Sequence, residues 1–108
     1  TSVDKHTFEA IKQRVGPEKT FIGDGYYRLR QLDNGDYEFA FLLAGPCGDT
    51  TIHPQITLDA TGDHILPIKL LDLGVSPTLR LGGEQHSTQL NQALNQLVQR
   101  LHTALEEK

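Results

Sequence analysis

The sequence predicts an α+β fold of two layers, in which an antiparallel β-sheet of about five strands carries a short N-terminal helix and a long C-terminal helix, in the order α-β-β-β-β-β-α. Three observations point there. Apolar residues recur every three to four positions at both ends of the chain, they alternate with period two in between, and turn-forming residues punctuate the alternating stretch.

The first helix starts at Asp4. With Asp4 as N-cap, Val3 and Phe8 occupy the two positions of a hydrophobic staple. Phe8, Ile11 and Val15 continue one apolar face, Gly16 supplies a C-terminal cap position and Pro17 forbids continuation. A helix this short holds only by packing that face against the sheet.

From Tyr26 the period changes to two, and residues 26–32 form the first expected strand. Asp33-Asn34-Gly35-Asp36 is the strongest turn signal, because Asn-Gly tolerates the positive φ that a tight hairpin demands. The second strand spans residues 37–44, with Tyr37, Phe39, Phe41 and Leu43 on the core face. After the break at 45–49, residues 51–60 resume with Ile56, Leu58 and Ala60 inward and Gln55, Thr57 and Asp59 outward. Residues 64–73 form a fourth strand that is apolar at nearly every position, and 78–81 a short fifth. Pro54 and Pro67 each delete a ladder donor, and in a simple meander at least one of their strands would be interior, so a bulge, a late strand start or a different strand order is expected.

Ser87 is the expected N-cap of the last helix. Leu90, Leu94, Leu97, Leu101 and Leu105, flanked by Ala93, Val98 and Ala104, form a stripe about 140° wide, broader than a coiled-coil seam and suited to lying on a sheet. The other side carries Asn91, Gln92, Asn95, Gln96, Gln99, Arg100, His102 and Thr103. Amides donate and accept without the cost of desolvating an ion, so this face suits a polar interface; it equally suits water.

Composition bounds the function. With 108 residues the chain supports one domain, 1–108, burying roughly two-thirds of its unfolded surface. A formal charge of -4, with basic residues spread singly, speaks against nucleic acid. The longest apolar run, 39–44, is far below the roughly 20 residues of a membrane span. One cysteine excludes a disulfide-stapled domain. No basic segment followed by an apolar one opens the chain, and a chain that begins at Thr1 without any Met has lost its initiator or been trimmed; a cytoplasmic location is the expectation.

If the hairpins are consecutive, Asp33, Asn34, Asp36, Asp63 and His64 gather at one end of the sheet, and Asp24, Cys47, Asp49, Ser76 and Pro77 at the other. The first group has hard oxygen donors and an imidazole, yet its spacing matches no calcium loop and turn chemistry explains it. Cys47 has His53 six residues on, but across the 45–50 turn that histidine sits nearer Leu42, so no catalytic dyad is expected. Gly82-Gly83 before Glu84 lacks the spaced glycines and lysine of a phosphate loop and reads as a hinge. No zinc spacing or cofactor motif occurs.

Tyr26, Arg28 and Arg30 share one strand face and, with Asn91, Asn95 and Gln99, are the expected interaction residues. Cys47, Asp49, His53, Asp59 and His64 are weaker ligand or thiol candidates. The leading expectation is therefore a non-enzymatic protein-protein interaction or accessory domain, self-associating or binding a larger partner. The apolar run 66–73, broken by Lys69 and Asp72, and the amide face support it. The alternative is a small-molecule-binding domain, or small enzyme, with a pocket between sheet and C-terminal helix; strict alternation turns His53 and Asp59 outward, which speaks against it.

Overall fold

A computed structural model describes residues 3–23 and 25–106. Its elements are β1 (Val3–Asp4), α1 (Lys5–Arg14), β2 (Thr20–Ile22), β3 (Gly25–Gln31), β4 (Tyr37–Ala44), β5 (Thr50–Asp59), β6 (His64–Asp72), β7 (Leu79–Gly82) and α2 (Ser87–Glu106).

Asp4 caps α1 as expected: its Oδ1 accepts the Thr7 N–H at 2.8 Å. That bond first, then the Thr7 hydroxyl and the charges of His6 and His64, hold the Asp4 carboxyl below the ordinary aspartate value. Val3 and Phe8 are both buried in the core, so the staple forms. The helix stops at Arg14, and Val15 takes an extended conformation while staying buried.

The strands form a curled antiparallel sheet in the order β1-β6-β5-β4-β3-β2. β1 and β7 divide the outer edge of β6 between them, β1 at His64 and Ile65 and β7 along Lys69–Asp72. The sheet has seven strands where about five were expected, the additions being β1 and β2. Segments of two and three residues are too short to display an alternating pattern, which is why neither is legible in the sequence.

The β3–β4 turn departs in detail from an Asn-Gly turn with two positive φ values. Only Gly35 takes one, at 93°, while the Gly35 N–H donates to Leu32 O at 3.0 Å and the Leu32 N–H to Asp36 O at 2.7 Å. Asn34 instead accepts the Asp36 N–H through its side chain at 3.0 Å.

α2 lies across the inner face of the sheet, against β6 and reaching β2 and β7. Leu90, Leu94, Leu97, Val98, Leu101 and Ala104 join Tyr27, Leu29, Phe39, Phe41, Ile56, Leu58, Ile65 and Leu70 in one contiguous core, and α1 adds Phe8 and Ile11. A 3-10 turn at Glu84–His86 leads directly into α2, so the helical path begins ahead of the cap expected at Ser87. Among the described residues no helix is long and apolar enough to cross a membrane.

Candidate functional site

Two irregularities decide which side chains reach the inner face beside α2. In β5 the pairs Ala40↔Gln55 and Leu42↔Ile52 leave His53 and Pro54 opposite the single residue Phe41. In β6 the pairs Thr57↔Lys69 and Leu58↔Pro67 leave Ile68 as an extra residue. Both bulges sit at the prolines, where the missing ladder donor is tolerated.

An inserted residue reverses the phase of a strand, because side-chain alternation has period two. Without its bulge β5 would point His53 to the outer face with Gln55 and Thr57; with it, Ile52 shares the outer face with Leu42 and His53 turns inward. Likewise β6 buries Ile65 and Pro67 before its bulge and Leu70 and Asp72 after it. The two phase reversals bring His53 and Asp72 to the same side of the sheet.

There His53 Nδ1 lies 2.6 Å from Asp72 Oδ1. The same oxygen accepts the Gly74 N–H at 2.9 Å, and the Leu73 N–H donates to Ile52 O at 2.9 Å, which fixes the two strands in register beyond the bulge. The Asp72 side chain is 11% exposed and that of His53 29%. A carboxylate at that depth needs partners, and the imidazole and the amide provide them. Gly74 is required by the close approach of the ring: a Cβ there would collide with His53.

The pair forms one wall of a cleft of about 320 Å³ between β5, β6, β7 and α2. Leu70, Leu79 and Pro54 give the sheet side an apolar surface. Ala93, Gln96, Leu97 and Arg100 face them from one stripe of α2, spaced three, four and seven residues from Ala93. Arg100 lies over the Phe41 ring, its guanidinium carbon 4.0 Å from the centroid, so this cation sits on the aromatic residue opposite the β5 bulge. The arrangement places an oriented imidazole, a buried carboxylate, an amide and a guanidinium around a small apolar space.

The other expected site residues lie elsewhere. Tyr26, Arg28 and Arg30 project from the outer face. Arg28 Nη2 donates to Glu38 Oε1 at 3.1 Å and to Gln55 Oε1 at 3.0 Å, reaching across the fully buried Ala40, and Arg30 Nη2 meets the same Glu38 oxygen at 2.8 Å. Tyr26 packs edge-on against Phe21, with Lys19 Nζ 5.1 Å above its ring. These side chains are engaged within the sheet. Asn91 donates to Ser87 O, and Asn95 to Asn91 O, both at 2.9 Å along the helix. Asn95 and Gln99 border a wide, open groove of about 720 Å³ between the start of α1 and α2, together with Thr7 and His102.

Cys47 is an exposed free thiol and Asp49 is exposed beside it in the β4–β5 turn; His53 pairs with Asp72 instead of approaching Cys47. Asp59 Oδ1 accepts from the Thr61 hydroxyl at 2.7 Å and the Thr61 N–H at 3.0 Å, and these bonds, the hydroxyl first, lower its carboxyl below the ordinary value. His64 stands opposite Asp4 in the β1–β6 pairing. Among the described residues no three His, Cys, Asp or Glu side chains converge on a metal position. Asp24 and the Glu84 side chain lie outside the described residues.

Sequence reasoning missed Asp72, Gly74, Gln96 and Arg100 as a group with His53. The usable signal was the pair of in-strand prolines: a bulge at each implies a change of face. No protein family, curated protein or solved structure matches this chain.

Proposed function

We propose that the chain is a ligand-binding domain that holds a small molecule in the cleft between β5–β7 and α2. The observation that carries this reading is the His53–Asp72 pair, an imidazole fixed through one nitrogen by a buried carboxylate, set at the wall of a small space that Pro54, Leu70, Leu79, Ala93 and Leu97 make mostly apolar and that Gln96 and Arg100 also line. Small-molecule sites have this character: concave, mostly apolar, with a few convergent polar groups, and about 300 Å³ at the small end of their range. The reading takes up the second of the two expectations from sequence, since His53 faces the cleft and not the outer surface.

A titration of the labelled protein with a library of small aromatic and heterocyclic fragments, followed through backbone amide resonances, tests it. Shifts are expected to concentrate at residues 70–74 and 93–97 and to vanish in Ala93→Leu, which fills the cleft. Fragments that bind Ala93→Leu as well as the parent chain contradict the proposal.

The open groove bordered by Asn95 and Gln99, together with the exposed Leu73 and Val75 beyond the cleft, favours a second reading in which the chain contacts a protein partner or a second copy. Light scattering over a wide concentration range tests self-association: a growing dimer fraction that Gln99→Lys suppresses supports this reading, and a constant monomer mass removes self-association.

A further inference from the structure

Resting on the ligand-binding reading, we infer that the cleft takes small molecules bearing an acidic hydroxyl, a phenol or an enol, and that His53 accepts the hydroxyl proton. Asp72 Oδ1, 2.6 Å from Nδ1, leaves Nε2 as the nitrogen available to a ligand; among the described residues His53 makes no other hydrogen bond. With Nδ1–H donated to the carboxylate, Nε2 is an acceptor and calls for a donor on the ligand.

The remaining walls select among donors. A carboxylate or phosphate arrives already ionised and offers no proton to Nε2. An ammonium group brings its charge toward Arg100. A hydroxyl enters neutral and satisfies Nε2, while Leu70, Leu97, Ala93 and Pro54 offer apolar contact to a flat ring.

When the ligand O–H bond breaks and the proton bonds to Nε2, the products are an oxyanion and an imidazolium. Asp72 then stands beside the new positive charge, and the Gln96 amide and Arg100 guanidinium line the space that holds the new negative one. The chain thus supplies a complementary charge for each product of the transfer, with Asp72 as the positioning residue and His53 as the proton acceptor.

The test uses 4-nitrophenol, whose anion has its own visible absorption band, and 4-nitroanisole, the same ring without a proton to give. At a pH below the free phenol's titration, binding to the parent protein is expected to raise the phenolate-to-phenol ratio about tenfold, equivalent to one pK unit. His53→Gln is expected to bind both probes and leave the phenol un-ionised. Asp72→Asn, which also serves if His53→Gln does not fold, is expected to reduce the phenolate fraction while still binding nitroanisole. Nitrophenol bound without a rise in phenolate, or an equal rise in His53→Gln, overturns the inference and leaves the ligand-binding reading intact. Failure of both probes to bind the parent protein counts against that reading itself.

Discussion

The β3–β4 hairpin and the β5–β6 hairpin are built from similar residues under different rules. In β3–β4 the pairing runs from Tyr26↔Leu42 to Gln31↔Tyr37 without interruption, and alternation alone assigns Tyr27, Leu29, Phe39 and Phe41 to the core. In β5–β6 each strand carries an extra residue at a proline, and the faces change partway along. The regular hairpin contributes packing, and on its outer face Arg28 is held by Glu38 of the same hairpin and by Gln55 of the neighbouring β5. The irregular one re-aims two polar side chains at the helix. Register breaks therefore mark where this sheet departs from a simple core-and-surface division.

The largest effect is expected in the regular hairpin. Phe39→Ala removes a fully buried ring from its centre and is expected to cost about 3–5 kcal/mol in urea unfolding, since the surrounding sheet cannot close over the void. Asp72→Ala, in the irregular hairpin, is expected to cost about 1–3 kcal/mol, because it leaves the Gly74 N–H and the His53 ring without their acceptor. Amide exchange at Gly74 should accelerate in the same variant. A cost for Asp72→Ala equal to that of Phe39→Ala would mean that the pair is a core element and not the wall of a cleft.

The outer face offers a smaller effect. Arg30 has a side chain 47% exposed and shares the Glu38 oxygen with Arg28, so Arg30→Ala is expected to lower stability by no more than about 1 kcal/mol. Urea midpoints of the variant and parent at low and high salt check this.

The smallest effect is electrostatic. Asp4 and Asp59 have lower carboxyl pKa values folded than unfolded, so their contribution to stability is fully present above about pH 4, the ordinary aspartate range, and is lost as the pH falls through the folded values. Asp4→Asn keeps an acceptor for the Thr7 N–H and removes the titration. Its urea midpoint is expected to fall less steeply than that of the parent between about pH 5 and pH 2.

Much of the fold was legible because α1, β4 and α2 each state their period over enough residues. Val3, Phe8 and the leucine stripe of α2 reach the core as their spacing implies. β1 and β2 carry no period of their own and exist only because β6 and β3 offer edges to pair with. The site was legible only in part. His53 stood out as a polar group and Pro54 as a bulge marker, yet the bulge reverses the face to which alternation assigns the histidine. Asp72 read as a charge interrupting an apolar strand, and its partner is 19 residues away along the chain. Arg100 belonged to the polar face of α2 until Phe41 gave it a ring to cover. Local pattern specifies which face a residue occupies only as far as the next register break.

The two bulges bring His53 and Asp72 into one interacting pair, and a double-mutant cycle measures their coupling directly. Unfolding free energies of the parent, His53→Ala, Asp72→Ala and the double variant are expected to show a coupling between about 0.5 and 3 kcal/mol, as residues joined by a hydrogen bond do. Additivity within about 0.3–0.5 kcal/mol, the behaviour of sites that do not touch, would contradict it.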